Sequence, residues 1–157
     1  MNPRDATEQS HLHAALTQLF EQRISFNELL GLKIESLAPG DVRLGVAMRP
    51  ALVGHYLHGR LHGGVVASVL DSVGGLALMV AIAEQFPHDN TLQVMQRFSR
   101  MATIDLRVDY LRQGIGQHFT ASAEVTRLGS RIGTTLLRLV NEESTLIATG
   151  AAVYAIS

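Results

Sequence analysis

The sequence predicts an α+β fold in which an antiparallel sheet of six strands wraps around one long central helix. Three observations carry that expectation. Residues 64–84 are apolar on every helical face, with Val66, Val73 and Val80 opposite Ser68, Asp71 and Leu78, and a helix apolar all round is a buried helix. Ahead of it, residues 32–48 fall into two strand-like runs; behind it, four more such runs reach the C-terminus. Strands grouped apart from one helix mark an α+β domain.

In chain order, residues 11–24 set Leu12, Leu16, Leu19, Phe20 and Ile24 at three- and four-residue spacings. This is a one-sided helix able to cover a sheet edge. Residues 1–24 are therefore read as an accessory segment, and 25–157 as a single domain. Residues 32–38 and 42–48 flank Pro39, Gly40 and Asp41, which gives strand, turn and strand. Residues 49–61 are irregular, and a short helix carrying Arg97 and Arg100 follows the central one. Then Ile104, Leu106, Val108 and Tyr110 alternate with Thr103, Asp105, Arg107 and Asp109. The later strands begin near Phe119, Ile132 and Leu146. Hairpin-length turns at Gly114 to Gly116, at Gly129 and Ser130, and at Asn141 to Ser144 predict a four-strand meander.

At 157 residues, 46% of them hydrophobic, the chain has length for one core. Thirteen Lys and Arg against fourteen Asp and Glu leave a formal charge of -1, so no basic field exists to recruit nucleic acid. The absence of cysteine excludes disulfides, thiolate metal sites and a cysteine nucleophile. The N-terminal residues mix charges without an apolar signal core, which predicts a cytoplasmic protein. Residues 63–83 imitate a membrane span, yet they hold Asp71 at their centre and are rich in Gly, Ala and Ser. A carboxylate there would cost about 2.5–3.5 kcal/mol in lipid, so a buried helix is expected and no membrane span. In so short a chain, full burial of that helix implies cover from both sides, with a second subunit as one source of part of it.

The chemistry concentrates in His62, Gly63, Gly64, Ser68 and Asp71. Two glycines entering a helix expose N–H groups at the positive end of its dipole, where a developing oxyanion can be held; the same glycines also permit close packing. Asp71 shares a helical stripe with Gly64, Ser68 and Gly75. A buried carboxylate either satisfies a structural partner or faces a functional cavity. Seven residues separate Gly64 from Asp71, roughly 10 Å of axial rise. That is too far for one small reaction centre, so two antiparallel copies of the helix are expected to build a shared site.

The HGG sequence with its spaced Asp71, the strand ATIDLRVDYLR, the hairpin RLGSR and the closing ATGAAVY together resemble the hotdog-fold acyl-CoA thioesterases of the PaaI-like type. Within that family the match is closest to the YigI-like bacterial medium- and long-chain enzymes, over about residues 20–155. The resemblance implies a hotdog fold and cofactor-free hydrolysis of medium- to long-chain acyl-CoA by a homodimer or a dimer-of-dimers tetramer. It implies Asp71 as general base or nucleophile, the Gly63 amide polarising the thioester carbonyl, His62 shaping that end, and Thr103 holding the attacking water. Gly64, Ser68 and Gly75 would contact substrate. Relatives carry Asn six or seven residues before the HGG histidine; His55 and Tyr56 stand there here, and His55 is the expected replacement. The rival readings are an enoyl-CoA hydratase or dehydratase and a non-catalytic acyl-binding module.

His55, His58 and His62 also form H-x2-H-x3-H, but a loop does not force the rings to converge as helical spacing does. No metal is expected. The G-x-S-x-G, P-loop and G-x-G-x-x-G patterns are absent. Arg97, Arg100, Arg112, Arg127 and Arg131 are candidate partners for the coenzyme A phosphates.

Overall fold

Asp5 opens the first helix, its carboxylate accepting from the Glu8 N–H at 2.8 Å and so satisfying one free amide of α1 (Ala6–Gln18). A single π turn (Leu19–Arg23) and a short α2 (Ser25–Leu30) follow. Gly31 ends α2 with φ 71°, a left-handed conformation that glycine adopts without a Cβ clash. The computed structural model describes residues 3–157. Leu12, Leu16 and Phe20 from this segment are buried in the same core as the central helix.

The first hairpin is β1 (Lys33–Ala38) and β2 (Asp41–Ala47). Residues expected to be irregular contain a small separate hairpin, β3 (Val53–His55) and β4 (Arg60–Leu61). The long helix α3 (Gly63–Gln85) comes next, then α4 (Thr91–Arg97). The remaining strands are β5 (Ala102–Tyr110), β6 (His118–Leu128), β7 (Ile132–Asn141) and β8 (Leu146–Ala155). Six strands form one antiparallel sheet, in the order β1-β2-β6-β7-β8-β5. The α+β architecture is as the sequence predicts.

The four-strand meander is not. Of these four strands only β6, β7 and β8 are hairpin neighbours; β5 leaves β6 and pairs with β8 at the far edge. Gly114 therefore lies in a crossing connection, where its carbonyl accepts from the Leu61 N–H at 2.8 Å and ties that connection to β4. Small residues make the β5–β8 approach possible. A Cβ at Gly150 would stand 2.7 Å from the Arg107 carbonyl oxygen.

The inner face of the sheet packs on α3. Leu44, Phe119, Leu137 and Leu139 meet Leu70, Leu76 and Leu78, all essentially inaccessible. Burying each such side chain contributes about 1.5–3 kcal/mol. Although α3 has the length and hydropathy of a membrane span, 67% of its most apolar window is buried inside the fold.

Candidate active site

His62 caps α3. Its Nδ1 accepts from the Gly64 N–H at 2.8 Å, and its carbonyl accepts from Val65 and Val66 at 2.9 and 3.1 Å. A neutral imidazole accepting at Nδ1 carries its proton on Nε2. The Gly64 amide is thus occupied, which corrects the expectation of two free glycine donors. Only the Gly63 N–H is left without an acceptor among the described residues. Tyr110 covers this turn by donating from its hydroxyl to the Gly63 carbonyl at 2.7 Å. A Cβ on Gly63 would already press on the Tyr110 ring at 3.3 Å.

Further along α3, Asp71 is half-buried and its Oδ1 accepts from the Thr103 hydroxyl at 2.9 Å. Strict alternation would have put Thr103 on the outer face with Asp105. A β-bulge intervenes: Thr103 pairs with Tyr154, whereas Asp105 pairs with Val153. The extra residue, Ile104, turns Thr103 to the inner face that Leu106 and Val108 share.

Tyr154 fixes the helix at the same point, donating from its hydroxyl to the Asp71 carbonyl oxygen at 2.8 Å. Gly74 permits that approach, since a Cβ there would overlap the Tyr154 hydroxyl. Burial first, and then the neighbouring Asp71 carboxylate, push the Tyr154 hydroxyl far up from its ordinary range, so it stays protonated as a donor.

Asp71 and Thr103 open onto a cavity of about 310 Å³, at the lower end of the ~300–1,000 Å³ usual for small-ligand sites. Phe20, Ile24, Phe26, Met79 and Met101 supply its apolar wall. Gly75 faces it with room to spare, because a Cβ there would meet only Tyr154, at 3.9 Å. Ser68 also lines it, but its hydroxyl proton is engaged by the Gly64 carbonyl at 2.7 Å. That leaves its oxygen only as an acceptor.

The structure does not bring His55 to this cavity. Its ring stacks with those of Tyr56 and His58, at centroid distances of 5.4 and 4.7 Å, and its Nδ1 accepts from the Leu57 N–H. Among the described residues no three metal-ligating side chains converge. Of the arginines, Arg97 is paired with Asp89 at 2.6 Å and lies over the Phe86 ring, and Arg112 donates to the Leu146 carbonyl.

Three polar residues at these places carry no mark in the sequence. Tyr110 and Tyr154 read as ordinary strand aromatics. Asn27, 3% exposed on α2 and lining the Asp71 cavity, had only its place in a charged and apolar mixture to mark it.

Comparison with known proteins shows the family. The thioesterase superfamily model matches residues 58–148. The medium/long-chain acyl-CoA thioesterase YigI of Escherichia coli is 37% identical over 137 residues, 87% of this chain and 88% of that one. A Shewanella oneidensis crystal structure related to the thioesterase superfamily superposes with a TM-score of 0.90 at 36% identity, covering 98% of this chain and all (100%) of its own. The phenylacetic acid degradation protein PaaI of Thermus thermophilus gives 0.65 at 27% identity, over 85% and 99%.

Proposed function

The chain belongs to the thioesterase superfamily, and from that premise we infer that it hydrolyses medium- to long-chain acyl-CoA to the free fatty acid and coenzyme A. The observation that carries this reading is the Thr103–Asp71 hydrogen bond at the polar end of a cavity with an apolar wall. The thioester carbon sits beside the carboxylate and the acyl tail runs toward Gly75 and Met79. Asp71 takes a proton from water as the water oxygen bonds to the thioester carbon, and Thr103 orients the pair. The resulting oxyanion is held by the Gly63 N–H at the start of a long helix. Collapse breaks the C–S bond, and the proton on Asp71 passes to the departing thiolate.

One helix cannot supply both ends to one carbonyl, because Gly63 and Asp71 are about 12 Å apart along its axis. The reading therefore includes a homodimer, or a dimer of dimers, in which Gly63 of one copy meets Asp71 of the other. Ile104 and Tyr110, 57% and 55% exposed on the open edge strand β5, support a second copy there. A cytoplasmic setting belongs to the same reading.

The test is kcat/KM for acetyl-, hexanoyl-, decanoyl- and palmitoyl-CoA, below micelle thresholds, for the parent and Gly75→Leu. Each buried methylene contributes about 0.8 kcal/mol, so values rise with chain length in the parent. The added leucine side chain shifts the optimum to shorter chains. A flat series, or an unshifted optimum, contradicts the cavity as the tail site.

A further inference from the structure

Asn27 and Thr135 are, apart from Tyr154, the buried polar side chains among the described residues, and of the Asn27 amide only the oxygen has a partner. Oδ1 accepts from the Ser72 hydroxyl at 3.3 Å; its Nδ2 donors have no acceptor among the described residues. The side chain is 3% exposed, and the surface it retains lines the cavity that holds Asp71 and Thr103. Its local structural work is done by the backbone, whose carbonyl accepts from the Gly31 and Leu32 N–H groups at the end of α2. The amide group is not needed for that.

A saturated acyl chain offers these donors nothing. Occupying the cavity, it would strip water from a buried amide without replacing the hydrogen bond, and an unsatisfied buried donor is penalised by its full desolvation. An acyl chain carrying an oxygen acceptor would satisfy it. Ser72, which Asn27 binds, follows Asp71 in α3, and both line the same cavity as Asn27; from that adjacency the subsite is assigned to the part of the acyl chain close to the thioester rather than to the tail end.

We propose that Asn27, held by Ser72, forms a polar subsite for an oxygen substituent on the acyl chain close to the thioester, so that 3-hydroxyacyl-CoA is favoured over saturated acyl-CoA of equal length. The proposal rests on the thioesterase reading. Sites built to hydrogen-bond a substrate hydroxyl discriminate against analogues that lack it, because the site's own polar groups are left unpaired.

The experiment measures kcat/KM for decanoyl-CoA and for each enantiomer of 3-hydroxydecanoyl-CoA, with the parent, Asn27→Leu and Asn27→Ala. The parent is expected to favour one enantiomer over decanoyl-CoA by about tenfold or more, and both variants to bring that ratio close to one. A purely structural Asn27 would not move a ratio between two substrates in the same enzyme. If the parent hydrolyses decanoyl-CoA but shows no preference for either enantiomer, the subsite is overturned while the thioesterase reading stands, even where neither variant folds. A preference retained in a folded Asn27→Leu enzyme overturns it too. Equal losses for all substrates overturn it as well, and assign the amide to the attacking water instead. No hydrolysis of any substrate by the parent overturns both readings.

Discussion

Thr103 and Asp71, 32 positions apart in the chain, meet through a 2.9 Å hydrogen bond from the threonine hydroxyl to the carboxylate Oδ1. The bond joins an edge strand to the central helix and depends on the bulge at Ile104, which turns the threonine inward. Removing the hydroxyl while keeping the shape should therefore disorder the attack without disturbing the fold. Thr103→Val is expected to lower kcat about tenfold to a hundredfold with a smaller change in KM, and Thr103→Ser to recover most of the loss. Steady-state kinetics with thermal melts as a folding control check this. A Thr103→Val enzyme with parental kcat would remove Thr103 from the mechanism.

Adjacent glycines on α3 should respond with opposite signs. A Cβ at Gly74 overlaps the Tyr154 hydroxyl, whereas one at Gly75 finds an ordinary contact at 3.9 Å. Overpacking of this kind costs about 1–3 kcal/mol, and for a chain of this size each kcal/mol moves Tm by about 2–4 °C. Gly74→Ala is expected to lower Tm accordingly. Gly75→Ala is expected to raise it slightly, because alanine is favoured over glycine in a helix by up to about 1 kcal/mol. Scanning calorimetry of the two variants decides the matter.

The sequence was most legible where periodicity is strong. An all-apolar helix and the six strands of the main sheet could be placed because burial on one face or on all faces leaves a local trace. Strand order left none. Gly114 and Gly116 mark a change of direction, but nothing local specifies that β5 will pair with β8 instead of β6. The bulge at Ile104 was equally silent, since it breaks the alternation that made the strand visible. At the site, Asp71 stood out as a charge in an apolar helix. Tyr154 and Asn27 did not, because each acts on α3 from a distant segment through one hydrogen bond. The glycine pair was half legible: its sequence announced a helix start, while His62 capping the Gly64 amide is a side-chain choice that spacing does not reveal.

The shared site predicts complementation. Asp71→Ala removes the carboxylate of one copy, and Gly63→Val blocks the amide end of the other by driving a side chain into Tyr110. Each variant alone should be nearly inactive. Verified heterodimers of the two should regain one intact site, measured as CoA release per heterodimer near half the parental value per dimer. Inactive but folded heterodimers would place both ends of the site in one chain.

Whether Asp71 drives thioester hydrolysis is read from kcat/KM for decanoyl-CoA in Asp71→Asn. The amide is nearly isosteric but cannot take a proton from water. A fall of about 10²–10⁴-fold is expected, with melting temperature and oligomeric state retained. A folded Asp71→Asn enzyme releasing coenzyme A at the parental rate would contradict that role for Asp71.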